Sequence, residues 1–146
     1  MKNILIAIDF HDKTQILIDY ATKFARVFDS KIWLLHVAAP DPDFVGYGVG
    51  PQYIRDFRAD ELKEQHKNLL SYVDSIKSQG LESDGFIIQG AKIEMIMEES
   101  EKLDIDMIIT GHHDRGFFYE VFRGSVSSNI VSDSKIPVFV IPFGEK

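Results

Sequence analysis

The sequence contains no cysteine, so no disulfide framework holds the chain and no thiolate zinc site can be built. Nothing in it marks an oxidising compartment. Long hydrophobic runs are missing as well. The opening apolar stretch, Ile4-Leu5-Ile6-Ala7-Ile8, is stopped at once by Asp9, which is too short for a signal-peptide core or a membrane span. A cytoplasmic location and no membrane partner are expected. Positive charge is the third scarcity: 16 Lys and Arg face 23 Asp and Glu, for a formal charge of -7. Nucleic-acid surfaces need clustered Lys and Arg to hold phosphate backbones, and none cluster here. Internal repeats, low-complexity segments and domain linkers are also lacking, so residues 1–146 are expected to form one domain. With 45% hydrophobic residues that domain has an ordinary soluble core and room for one site.

What is present is an alternation of strand-like and helix-like stretches. Ile4 to Ile8 is apolar at every position, as in a strand covered on both faces. Asp12 with Gln15 three residues on resembles a capping box, and Leu17, Ala21, Phe24 and Phe28 follow at helical spacing. Asp29-Ser30 closes that helix, and Ile32 to Val37 is a second buried strand. Ala38 to Pro51 holds Pro40, Pro42, Pro51, Gly46, Gly48 and Gly50, which excludes a regular element and makes a loop long enough to be functional or mobile. A long helix is predicted over Tyr53 to Lys77, with Leu62, His66, Leu69, Val73 and Ile76 on one stripe and Gly80 as its stop. Gly85 to Gly90 reads as a shorter third strand. Ala91 to Leu103 follows as a helix with Ile93, Ile96, Met97 and Ser100 inward, and Asp104 to Thr110 as the fourth strand. A short helix is expected over Gly124 to Asp133. The last strand is Val138 to Ile141, and the prolines that bracket it, Pro137 and Pro142, suit an edge.

Strict β/α alternation with right-handed crossovers gives an α/β fold: a doubly wound, open, parallel five-stranded sheet with helices on both faces. Ligands bind such sheets beyond the carboxyl ends of the strands, where the strand order reverses. For the order 3-2-1-4-5 the reversal falls between strands one and four and brings Asp9 and Gly111 to one crevice. An edge strand from Val138 to Ile141 is free to pair with a second copy of the chain, so a homodimer is expected.

The stretch from Thr110 to Val126 has the most chemistry. Gly111, at the end of strand four, permits a tight turn or the close approach of a ligand. Gly124 repeats this at a helix start, where Ser125 can cap the helix or donate to a phosphate. Alone these are also the marks of plain turn and cap chemistry. A carboxylate such as Asp9 after a strand often serves the next turn, and His36, inside an apolar strand, is expected to be a satisfied core histidine. His112, His113 and Asp114 are neighbours on an extended segment, where adjacent side chains diverge, so no metal site is assigned to them. Phe117, Phe118, Tyr119 and Phe122 are expected to pack against the 44–51 loop or to form a partner surface.

At this point the chain resembles the universal stress protein family over nearly its whole length. Asn3 to Asp9 is similar to that family's first strand, and Leu35-His36-Val37 to its second. Gly90 and Asp106 to Gly111 fall where the family has them, and Gly111, Gly124 and Ser125 match its nucleotide motif, G-x2-G-x9-G-[ST]. The resemblance implies a Rossmann-like fold of the adenine nucleotide alpha hydrolase type and ATP or another adenine nucleotide as ligand. Asp9 and Val37 correspond to the aspartate and valine with which that family holds the nucleotide, Asp9 for the ribose or adenine and Val37 read as a wall, and Gly111, Gly124, Ser125 and Val126 match its phosphate side; Thr110 and Ser127 are counted with these binding residues. Asp114 stands where the motif has its second glycine.

Aspartate enters left-handed conformations more readily than most residues, so the loop path can survive the change. Its charge opposes a phosphate unless Mg²⁺ bridges the two or Arg115 or Arg123 offsets it. No nucleophile is paired with a base and the helix-start site has no dedicated lysine, so a nucleotide-dependent regulatory module is expected, with slow ATP hydrolysis at most. Two rivals stand beside it: an interaction module of the same fold that has lost nucleotide binding through Asp114, and an α/β enzyme acting on a phosphorylated or adenylated small molecule. Its protein partners beyond a second copy are not encoded in any motif.

Overall fold

The computed structural model describes residues 1–8, 13–38, 52–90, 92–112 and 134–143, the side chains of 52–58, 92, 93 and 112 excepted. Five strands and three helices follow in the order β1 (Asn3–Ala7), α1 (Thr14–Phe28), β2 (Lys31–Ala38), α2 (Gln52–Lys77), β3 (Ser83–Gln89), α3 (Lys92–Lys102), β4 (Met107–His112) and β5 (Val138–Pro142). All pairings are parallel, and the sheet runs β3-β2-β1-β4-β5. This is the order considered above, with its reversal between β1 and β4. The helix expected over Gly124 to Asp133, the loop 39–51 and the aromatic run 117–122 lie outside the described residues.

The sheet is apolar on both faces because both are covered. Side chains alternate along β1: Ile4, Ile6 and Ile8 join Leu17, Ile18, Ala21 and Ala25 of α1 and Leu69, Val73 and Ile76 of α2. Leu5 and Ala7 join Leu35, Val37 and Ile108 under Ile96 of α3. Each fully buried Ile or Leu in these layers contributes about 1.5–3 kcal/mol relative to an exposed one. No described helix is long and apolar enough to cross a membrane.

Helix ends follow backbone chemistry. Asp29 closes α1 in the left-handed conformation (φ 54°, ψ 50°) with its N–H on the carbonyl of Ala25, a conformation aspartate tolerates better than most residues. Gly80 has φ 83° and nothing near the place of a Cβ, so it is the backbone angle that asks for glycine there.

Several local expectations need correction. α1 begins at Thr14 behind Lys13, which makes no side-chain cap, and Gln15 Nε2 donates along the helix to Asp19 (2.9 Å); Asp12 lies outside the described residues. Phe28, expected on the inner stripe, is 46% exposed, whereas Phe24 packs edge-on against Phe139. On α2, His66 is exposed and Gln65 is half-buried in its stead. β3 starts two residues earlier than expected. β4 extends beyond Gly111 to His112, and β5 includes Pro142, which pairs with His112.

The amino ends of the strands are pinned by one carboxylate. Asp106 Oδ2 accepts the backbone N–H groups of Lys2 (2.7 Å) and Asn3 (2.9 Å), and these two bonds, Asn3 first, hold its carboxyl below the ordinary aspartate range. Asn3 in turn accepts the indole N–H of Trp33 (3.1 Å). β1 is thereby tied to β4 and β2 at the end remote from the ligand crevice that such sheets form.

Candidate functional site at the strand reversal

β1 is the pivot of the sheet, with β2 on one side and β4 on the other. The chain passes from β1 through α1 to β2 on one side and from β3 through α3 to β4 on the other, and α1 and α3 cover opposite faces; sheets of this kind bind ligands at the carboxyl ends beside such a reversal. The register pairs Ile6 with Ile109. Continued two places, it sets Ile8 opposite Gly111, with Asp9 next along the chain but outside the described residues.

The exit of β1 is fastened to β2 by both backbone groups of Ile8. Its N–H donates to Leu35 O at 2.9 Å, and its carbonyl lies 2.8 Å from Nδ1 of His36. A carbonyl only accepts, so Nδ1 carries the proton in this bond. His36 is 9% exposed, a satisfied core histidine as its apolar setting suggested. Val37 follows with 4% exposure, packed in the cluster of Leu5, Ala7 and Leu35. It offers an apolar wall and no polar group.

The β4 side is set by Thr110 and Gly111. Thr110 is fully buried, and its Oγ1 has no hydrogen-bond partner. Of the buried polar atoms without a partner among the described residues, Gln65 Oε1, Ser83 Oγ, Ser100 Oγ and Thr110 Oγ1, only the last stands at the carboxyl end of a strand. A buried hydroxyl left unpaired costs roughly 1–3 kcal/mol. A donor or acceptor supplied from the crevice would remove that cost.

At Gly111 the chain makes no tight turn: β4 runs on to His112, and the ring of Phe143 fills the place a Cβ would take. Phe143 was missed in the sequence; its signal was an apolar residue directly after the edge strand, where solvent-facing chain normally begins. Asp114, Gly124, Ser125, Val126 and Ser127 lie outside the described residues, as do His113 and the rest of the motif. Among the described residues no group of three or more His, Asp or Glu side chains is placed to hold a metal ion. A shallow depression on the outer face of α2, lined by Lys63, His66, Lys67, Leu70, Ser71 and Asp74, is built from one helix only.

The strand order and its reversal between β1 and β4 define a doubly wound α/β protein. The sequence model of the universal stress protein family matches residues 1–142, and the chain belongs to that family. It is similar to the universal stress protein A homolog of Haemophilus influenzae, with 26% identity over 99% of both chains. Universal stress protein C of Escherichia coli is 29% identical, over 96% of this chain and 94% of the relative.

Among solved structures, that of MJ0577, a Methanocaldococcus jannaschii protein, superposes with a TM-score of 0.76 at 22% identity, covering 99% of this chain and 98% of the other. Universal stress proteins have also been solved with cAMP (TM-score 0.69, 16% identity), with dAMP in Archaeoglobus fulgidus (0.65, 17%) and with AMP in Arabidopsis thaliana (0.63, 21%). Each of these covers 97% of this chain, which in turn spans 96%, 98% and 92% of theirs.

Proposed function

We propose that the chain binds ATP or another adenine nucleotide at the carboxyl ends of β1 and β4 and acts through its bound state as a cytoplasmic regulatory module. What supports this reading is the register that pairs Ile6 with Ile109, which carried two places further would bring Gly111, first residue of the family's nucleotide motif, opposite Ile8, the residue before Asp9. Structures of the same family that contain cAMP, dAMP and AMP support adenine as the base. Asp9 takes the ribose or adenine, Val37 forms the wall, and Thr110, Gly111, Asp114, Gly124, Ser125, Val126 and Ser127 surround the phosphates. Asp114, which stands where the motif has a glycine, would help to hold a Mg²⁺ ion, whose charge would offset that of the phosphates.

No activated nucleophile belongs to this set, so hydrolysis is slow and incidental. The assembly is a homodimer through the outer edge of β5, with residues 1–146 as one domain.

The experiment is to denature the purified protein, analyse the small molecules released, and record thermal shifts with AMP and ATP, each with and without Mg²⁺. Co-purifying adenine nucleotide or a ligand-dependent rise in Tm is expected. If no nucleotide is released and no shift appears in any condition, nucleotide binding is discarded. The same-fold interaction module then takes its place, through the charge of Asp114.

A further inference from the structure

Gly111 and Phe143 meet more closely than strand pairing requires. Gly111 pairs with Ile141, and the chain after β5 lays the ring of Phe143 on the bare Cα of Gly111. A Cβ at that position would overlap Cζ and Cε2 of the ring and stand 2.9 Å from Cε1. The ring packs on the core cluster that includes Ile8, Leu17, Ile109 and Ile141. That cluster draws on both strands of the reversal and on the first turns of α1. Alternation along β4 puts the covered face of Gly111 on the side of Ile109 and the unpaired hydroxyl of Thr110 on the opposite face.

We propose that Phe143 is a positioning residue for the phosphates of the nucleotide: seated on Gly111, its ring fixes the line along which the backbone leaves β4. The inference rests on the adenine-nucleotide function above. Glycine is the residue with the widest backbone freedom, and a backbone that must present groups to a phosphate is effective only when held within a fraction of an ångström. A flat ring in van der Waals contact with the Cα restricts that freedom without adding a side chain to the crevice. The ring also closes the α1 face of Gly111. Phosphate oxygens therefore approach from the strand end or from the face of Thr110.

The test is calorimetric titration of adenosine, AMP and ATP with Mg²⁺ into the full chain, for wild type, Phe143→Leu and Phe143→Tyr. Wild type should bind ATP more tightly than adenosine. Phe143→Leu should lose about tenfold in ATP affinity with adenosine affinity within about twofold of wild type, the increment due to the phosphates being what a misplaced backbone forfeits. Phe143→Tyr keeps the flat ring and should retain the wild-type ratio. Equal losses for adenosine and ATP, or no loss for either, overturn the inference while leaving nucleotide binding intact. Absence of binding by wild type overturns the nucleotide function itself and this inference with it. Should Phe143→Leu fail to fold, Phe143→Met is titrated against the same two outcomes.

Discussion

The imidazole of His36 donates through Nδ1 to the carbonyl of Ile8 at 2.8 Å, tying the last turn of β2 to the point where β1 leaves the sheet. Both residues are buried, so removing the donor strands an acceptor away from water. His36→Phe keeps the ring and loses the proton. It should cost about 1–3 kcal/mol in urea unfolding, and His36→Asn, whose amide nitrogen lies near the place of Nδ1, should recover part of it. Equal costs for the two variants would show that packing, not the hydrogen bond, holds this junction.

Asp106 makes stability depend on pH in the acid range. Its carboxyl is held low by the N–H groups of Asn3 and Lys2, so the unfolded chain binds a proton there more readily than the folded one. Stability from this group is present above the ordinary aspartate range and is lost as pH falls through the folded value, below about pH 4. Because Asp106 is exposed, the effect should stay under about 1 kcal/mol. Unfolding curves of wild type and Asp106→Asn should converge as pH drops through that window; curves that stay parallel would count against it.

Ile109 is fully buried on β4, one strand from the pivot. Ile109→Ala should destabilise by about 2–5 kcal/mol, read from the urea midpoint at unchanged slope. A smaller loss would mean that the sheet closes over the cavity.

Asp114 decides how the phosphates are held in the proposed site. A carboxylate about 8 Å from a phosphate charge costs roughly 2 kcal/mol at an effective dielectric near 20, a factor of about thirty in affinity. Without Mg²⁺, Asp114→Gly should tighten ATP binding by up to that factor. A fall in affinity in the presence of Mg²⁺ would identify Asp114 as the metal's ligand.

The outer edge of β5 is the proposed dimer contact, and Val138, Phe139 and Val140 are only partly buried there. Val140→Lys brings two like charges toward the two-fold axis of such a pair. Sedimentation velocity should show a dimer for wild type and a shift toward monomer for the variant; a wild-type monomer at high concentration would end the dimer proposal.

By itself the sequence determined the order of the described elements and the side of each strand that is buried, since hydrophobic period is a local constraint; right-handed crossovers restrict the strand order without fixing it, and pairing in the sheet decided it. The sequence also placed Gly80 as a stop and Gly111 and Val37 at strand ends. Tertiary structure decided what those ends touch. His66 and Gln65 differ by one step around a long helix, and only the tilt of α2 on the sheet chose which faces inward. The same kind of choice turned Gln15 toward Asp19, left Phe28 outside and gave His36 the carbonyl of Ile8. Above all it put Phe143 on Gly111, a contact between residues 32 positions apart. No periodicity spans that distance, because such a contact exists only once two strands have paired in register.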